Sequence, residues 1–175
     1  MEIKLRKFEE SDIEKIENWY INLNEWMEWD APWEWENYTF NKEKQILRRL
    51  EKSSHEPCFE FEIIYGTNHV GWLGAYYITD EYKWNGEEET DKIAIGIDIP
   101  EVKYRGLGIG KNAYELYLEY FKSLGYKKIY TQTWSGNLPM INLALRLGFK
   151  EINRYKDLRT VKNKKYDALT FEIEL

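Results

Sequence analysis

Residues 92–110 read Lys92-Ile-Ala-Ile-Gly-Ile-Asp-Ile-Pro100 and then Glu101-Val-Lys-Tyr-Arg-Gly-Leu-Gly-Ile-Gly110. The first half is a β-branched run that stops at a proline, as a mostly buried strand does. The second half is a glycine-rich bend. Behind it, Ile109, Ala113, Leu116, Tyr117, Tyr120 and Leu124 recur on one helical face, and Gly125 follows as a C-cap. A strand, a glycine loop and a helix in that order make a place to hold phosphate. Bare glycines let backbone N–H groups close on an anion, and the helix N-terminus adds a partial positive charge. Arg105 supplies a permanent cation beside the same site. We read the segment from Arg105 to Gly110 as a pyrophosphate cradle. The competing reading is a turn whose glycines serve only close helix–strand packing.

Two common phosphate motifs fail on spacing. The dinucleotide fingerprint requires G-x-G-x-x-G, and Lys111 stands where its last glycine belongs. A Walker A loop requires a glycine at the position of Arg105 and a Ser or Thr at that of Asn112. The pattern that fits is Arg-x-x-Gly-x-Gly, from Arg105 through Gly108 to Gly110.

A second segment narrows the choice. Trp134-Ser-Gly-Asn-Leu-Pro-Met-Ile-Asn-Leu-Ala-Leu-Arg-Leu-Gly-Phe149 follows a short strand over 128–133. Asn137 suits an N-cap, Pro139 is tolerated in a first turn, and Gly148 ends the helix. Taken with the first segment, this resembles the GNAT superfamily of acetyl-CoA-dependent N-acetyltransferases, most nearly its RimJ/RimL-like branch. The resemblance spans roughly residues 58–175. It implies a mixed, mostly antiparallel α/β (α+β) sheet flanked by helices, in a single domain over 1–175, with a coenzyme-binding core over 92–149.

The resemblance also implies a site. Backbone amides of Arg105, Gly106, Leu107, Gly108, Ile109 and Gly110 should hold the coenzyme A pyrophosphate. Asn137 matches the family asparagine that binds the pantetheine arm, and the strand end at Ile97 and Ile99 should pair with the pantetheine amides. Lys111 and Arg146 are candidates for the nucleotide phosphates or are solvated helix charges. Two positions depart from the family. Ala144 stands where many members carry a tyrosine that protonates the departing thiolate. Ile93-Ala94-Ile95 stands where many carry a glutamate, leaving Asp98 as the only acid in that strand.

In the family's chemistry a neutral amine attacks the thioester carbonyl, so an ammonium with a pKa near ~10 must first lose a proton. Asp98 is the candidate for that removal, and Ser135, ahead of the Asn137 helix, for donation to the thiolate. The structural alternatives are that Asp98 caps the loop and that Ser135 stabilises the turn. No metal is expected. The cosubstrate is acetyl-CoA and the acceptor a small-molecule amine or a protein N-terminus.

The most unusual composition lies over 19–40. It holds Trp19, Trp26, Trp29, Trp33 and Trp35, with Glu25, Glu28, Asp30, Glu34 and Glu36, and no Lys or Arg occurs from Ile16 through Asn41. Acids attract a cationic amine, and each aromatic face adds about 0.5–2 kcal/mol by cation–π contact. We expect an acceptor wall here, with Trp26, Glu28, Trp29, Asp30 and Trp33 as substrate contacts. A tryptophan clamp that closes a lid on the body is compatible with the same residues. Arg154, Lys156, Arg159, Lys162, Lys164 and Lys165 make the C-terminal hairpin basic, for which a solvated surface is the default.

The whole chain is bounded by simple numbers. Its 175 residues suit one full core, and a net charge of −6 argues against broad nucleic-acid or anionic-membrane binding. Cys58 is the single cysteine, which excludes a disulfide framework and a thiol metal site. The absence of a long apolar run and of a leader-like start points to a cytoplasmic protein. Exposed aromatics are compatible with a homodimer. Elsewhere, Ile3–Phe8 alternates as a strand and Ser11-Asp-Ile-Glu opens a helix as a capping box. A helix spans 42–52, and 59–65 with 69–78 form a hairpin. A turn at Asn85-Gly86 and the run Glu87–Glu89 follow, and strands near 149–155 and 166–174 close the chain. Besides the transferase, the sequence admits a catalytically impaired acyl-CoA-binding sensor. A carbohydrate-binding module rests on aromatic content alone.

Overall fold

The computed structural model describes residues 2–86 and 88–175. Met1 and Glu87, the first acid of the Glu87–Glu89 run, lie outside the described residues. Eight strands form one sheet: β1 (Ile3–Arg6), β2 (Glu60–Tyr65), β3 (Asn68–Ile78), β4 (Trp84–Gly86), β5 (Ile93–Asp98), β6 (Lys128–Trp134), β7 (Lys150–Val161) and β8 (Lys164–Glu174). Their order is β1-β2-β3-β5-β6-β8-β7, with β4 attached to β3 off that path. Only β5 and β6 run parallel; the other pairs are antiparallel. The helices are α1 (Ile13–Ile21), α2 (Pro32–Trp35), α3 (Lys42–Ser54), α4 (Ile109–Ser123) and α5 (Leu138–Leu147). The mixed, mostly antiparallel architecture is the one the resemblance implied.

The two faces of the sheet carry different chemistry because side chains alternate along each strand. One face presents Ile63, Leu73, Ile93, Ile95, Ile129, Leu169 and Phe171 and packs against α4 to make the main core. The helix stripe that enters this core is Ile109, Ala113, Tyr114, Tyr117, Leu118 and Phe121. That corrects the sequence reading, since Leu116 and Leu124 are exposed. Tyr114, Leu118 and Phe121 take the buried places, because the face that enters the core is turned from the predicted stripe toward them.

The opposite face presents Glu60, Glu62, Trp72, Tyr76 and Asp98, and it is covered by the N-terminal helices and the tryptophan-rich segment. A second core joins Trp19, Tyr20 and Trp26 to Trp72 of β3. Trp19 Nε1 donates to Glu101 Oε1 at 3.1 Å and Trp26 Nε1 donates to the Trp19 carbonyl at 3.1 Å, so both buried indoles are satisfied. Arg49 is wholly buried here; its Nη1 donates to Glu60 at 2.7 Å and Glu62 at 3.0 Å, and its guanidinium stacks 4.7 Å from the Trp72 ring centre.

Three local readings need amendment. A 3-10 turn over Glu10–Asp12 precedes α1, and Asp12, not Ser11, closes the helix start by accepting from the Glu9 N–H at 3.0 Å. Glu14, assigned to that box, instead pairs with Lys42. Asn85-Gly86 belongs to the short strand β4 rather than to a turn. The closing hairpin is longer than predicted: β7 and β8 meet at Lys162-Asn163, where both residues have positive φ (48° and 63°), the geometry of a tight primed turn.

Candidate active site

The site begins where a sheet comes apart. β5 and β6 pair only at Ala94 and Tyr130, so beyond that point the two strands diverge. Tyr114 of α4, fully buried, marks the opening: its hydroxyl donates to the Ile95 carbonyl at 2.6 Å, and Thr131 Oγ1 lies 2.9 Å away. Main-chain groups two residues apart face the same neighbour. The N–H and C=O of Ile97 therefore face the gap, with no strand opposite them.

Below the opening, Gly106 and Gly108 have φ of 73° and 79°, values that L side chains rarely adopt. A Cβ at either glycine would meet nothing within 4 Å. The glycines thus leave open space beside the first turn of α4. The first-turn N–H groups of Ile109, Gly110 and Lys111 have no partner inside the helix. Free donors, a helix N-terminus and room to approach them are the elements of an anion cradle. Gly110 lies deeper, its would-be Cβ in ordinary contact with Ile97 and Ile99.

A cavity of about 600 Å³ runs from this cradle into the gap. Its lining includes Ile97, Asp98, Ile99, Arg105, Gly106, Gly108, Gly110, Lys111 and Asn137, together with Trp26, Trp29 and Asp30 from the tryptophan-rich segment. The structure therefore brings the glycine loop and the tryptophan-rich segment to one space. At the sheet it is floored by Gly96, which pairs with Gly74 of β3. Neither glycine's Cβ position has an atom within 4 Å, so this pair hollows the sheet face next to Asp98.

Two carboxylates dominate the electrostatics. Burial raises the Asp30 carboxyl to about 6, against a hydrogen bond of 3.0 Å from Trp35 Nε1 that favours its ionised form. Asp98 is pushed well above the ordinary carboxylate range, first by burial and then by the charge of Asp30. A carboxyl that titrates near neutrality can both accept and return a proton there.

Several predicted residues sit differently from expectation. Arg105 spends its fork on structure: Nε donates to the Ile99 carbonyl, Nη2 to the Pro100 carbonyl, both at 2.8 Å, and Nη1 to Glu25 Oε2 at 2.6 Å. Asn137 caps α5 by accepting from the Met140 N–H at 3.1 Å, while its Nδ2 donates to the Trp29 carbonyl at 2.7 Å. Ser135 is not in the cavity lining. It ties the end of β6 to β8, its Oγ accepting the Asp167 N–H at 2.9 Å and its own N–H reaching the Asp167 carbonyl at 2.9 Å. Glu28 is exposed and accepts from Lys162 Nζ at 3.0 Å, and Trp33 lines a neighbouring cavity. Leu107 and Ile109 are not in the cavity lining; the former side chain is exposed and the latter buried in the core. Lys111 pairs with Glu115 at 2.6 Å. Gly96, Gln132 and Thr133 line the site without having been anticipated. Their signal was present in the end of a strand bordering the gap, but the gap itself is a property of pairing.

Among the described residues no cluster of three or more His, Cys, Asp or Glu side chains is placed to hold a metal. No described helix is long and apolar enough to cross a membrane.

Comparison with known proteins agrees with this geometry. Residues 2–150 match the family model described as an acetyltransferase (GNAT) domain. The fold is similar to that of an acetyl transferase from Salmonella typhimurium described as modifying the N-terminal serine of 50S ribosomal subunit protein L7/L12. There the TM-score is 0.75 at 14% identity, over 99% of this chain and 95% of that one. It is also similar to a putative acetyltransferase from the same species with its cofactor acetyl-CoA, at TM-score 0.74 and 12% identity, over 99% of this chain and 94% of that one. A stretch of 68 residues is 35% identical to an uncharacterized protein of Methanocaldococcus jannaschii; it is 39% of this chain and spans only 14% of that curated relative's length.

Proposed function

The chain belongs to the acetyltransferase (GNAT) family, and we propose that it transfers the acetyl group of acetyl-CoA to a primary amine, either a protein N-terminus or a small amine. One observation carries this reading: a single cavity joins a free-amide cradle, an unpaired strand edge and two carboxyls with raised pKa. Acetyl-CoA would supply the activated carbonyl. The amides of residues 106–111 would bind its diphosphate, and the open edge at Ile97 would accept its amide-bearing arm. The fit rests on the space beside Gly106 and Gly108, which a Cβ would occupy.

The chain's own groups then divide the work. The ionised member of the Asp30–Asp98 pair takes the proton of the entering ammonium, directly or through water. N–H groups on the free edge of β5 are available to negative charge developing on the carbonyl oxygen. Trp29 and Trp26 narrow the space and exclude water, which strengthens each of these interactions. We do not assign thiolate protonation to Ser135, which lies outside the cavity lining, and Ala144 is buried without a proton to give.

The likeness to an N-terminal serine acetyltransferase supports a peptide acceptor, and the cavity walls support a small amine equally well. A coenzyme-binding sensor without turnover leaves the raised carboxyl pair without a purpose. Thiol release from acetyl-CoA with amines and N-terminal peptides is the test. Release that depends on acceptor and on Asp98 supports the transferase. Coenzyme binding with no release on any acceptor supports the sensor.

A further inference from the structure

Beside the first cavity lies a second of about 750 Å³, and the two share Asp30, Gln132 and Thr133 as a common wall. Its floor is the polar face of β6 and β8, and α2 forms its roof. Aromatic side chains line it on several sides, among them Trp33, Tyr76, Tyr82 and Trp134. Trp33 packs edge-on to Trp134 with ring centres 6.1 Å apart. Trp33 Nε1 is buried and has no hydrogen-bond partner among the described residues.

Arg159 also lines this cavity, and its guanidinium stacks 4.5 Å from the Trp33 ring centre. Stacking uses the flat face of the guanidinium and leaves its N–H fork free at the edge. Two other cations of the same hairpin are paired, Arg154 with Glu151 and Asp167 and Lys162 with Glu28, and Lys156, Lys164 and Lys165 do not line this cavity. No carboxylate or other acceptor among the described residues is bonded to the Arg159 side chain, although Asp30 and Glu34 line the same cavity. A half-buried fork held against a ring, with its donors unspent, is suited to a carboxylate or phosphate.

We propose that this second cavity holds the body of the acceptor, and that the acceptor is a primary amine carrying a flat ring and an anionic group. The amine reaches the shared wall at Asp30, the ring packs among Trp33, Trp134 and Tyr76, and the anion pairs with Arg159. The inference rests on the transferase reading for the role of the amine, but the place for an anion at Arg159 stands on that side chain's own geometry. It takes Arg159 out of the hairpin's solvated cationic strip and makes it one wall of a binding site.

Calorimetry on the protein saturated with coenzyme A tests it with three probes: tryptophan, tryptophanamide and spermidine. Tryptophan should bind about tenfold or more tighter than its neutral amide, the scale of one charge-assisted pair, and spermidine should bind weakest. Arg159→Met and Arg159→Gln should each erase the difference between tryptophan and the amide while coenzyme affinity stays unchanged. Equal or tighter binding of the amide or of spermidine, no binding of tryptophan, or a preference that survives both variants overturns the proposal. Acetyl transfer is read separately from thiol release. Arg159-dependent tryptophan binding without thiol release on any amine would sustain the anion site and sink the transferase reading. Thiol release with spermidine favoured would do the reverse.

Discussion

Arg105 Nη1 donates to Glu25 Oε2 at 2.6 Å, which ties the glycine loop to the tryptophan-rich segment across the mouth of the cavity. The same guanidinium holds the carbonyls of Ile99 and Pro100, and Glu25 Oε1 accepts from Trp29 Nε1 at 2.7 Å. One arginine thus sets the loop's shape and its distance from the tryptophan-rich segment. A lysine cannot reproduce this fork. Arg105→Lys and Arg105→Ala should therefore weaken coenzyme A binding to a similar extent, about tenfold, and cost roughly 1–3 kcal/mol of stability. Calorimetry and thermal unfolding read both. A lysine variant with full affinity would show that charge, not loop geometry, is what matters.

Gly96 tests the hollow in the sheet. A side chain there meets no atom within 4 Å at its Cβ, and β-branched residues suit a strand. Gly96→Val should fold normally and bind coenzyme A within about threefold of the parent, while acetyl transfer falls about a hundredfold because the reacting groups are displaced. Unchanged kcat/KM would place the chemistry elsewhere in the cavity.

The carboxyl pair predicts a pH profile. Both groups have raised pKa values in the folded protein, with Asp30 at about 6 and Asp98 well above its ordinary value. Ionisation creates the base, so kcat/KM for a fixed amine should rise from pH 5, pass through the Asp30 value near 6 and continue upward as Asp98 yields its proton. Asp30→Asn removes one like charge, so the remaining limb should move to lower pH. A profile that stays put in both Asp30→Asn and Asp98→Asn would remove the pair from the mechanism.

The same shifts set a stability trend. A carboxyl whose folded pKa is raised stabilises the protein below its unfolded value, near ~4, and that contribution is lost as pH rises through the folded value. As pH rises past about 6 and first Asp30 and then Asp98 ionises, the buried charges become a burden. Asp98→Asn should then raise Tm at pH 7.5 by a few degrees, an effect that shrinks toward pH 4, while activity is lost. Unfolding scans across that range suffice, and a lower Tm at pH 7.5 would contradict the assignment.

Much of the site was legible because its signals are local. Pro100 ends a β-branched strand, Gly106 and Gly108 occupy positive-φ positions, and Asn137 caps α5, each within a few residues of its cause. What could not be read arises from pairing between distant segments. The split between β5 and β6 follows from register at Ala94 and Tyr130 alone. Arg105 looked like a phosphate ligand because nothing near it in sequence reveals the Ile99 and Pro100 carbonyls or Glu25 as its partners. The tryptophan segment divides into buried Trp19, which binds the lid to Trp72, buried Trp26, which does the same and also lines the cavity, and Trp29, which faces the cavity. Composition identified the segment, but only packing separates the two roles. Glu28 was counted with the acceptor acids, yet its carboxylate is spent on Lys162 of the hairpin.

The account stands on the free amides after β5. Isothermal titration of coenzyme A into the parent and into Gly108→Val addresses them directly. Gly108 has φ of 79° and open space at its Cβ position, so valine both strains the bend and fills the space the diphosphate would take. The predicted result is clear heat of binding for the parent, none for the variant, and the same far-UV circular dichroism for both. Binding retained by Gly108→Val, or absent from the parent, would contradict the cradle and the transferase reading built on it.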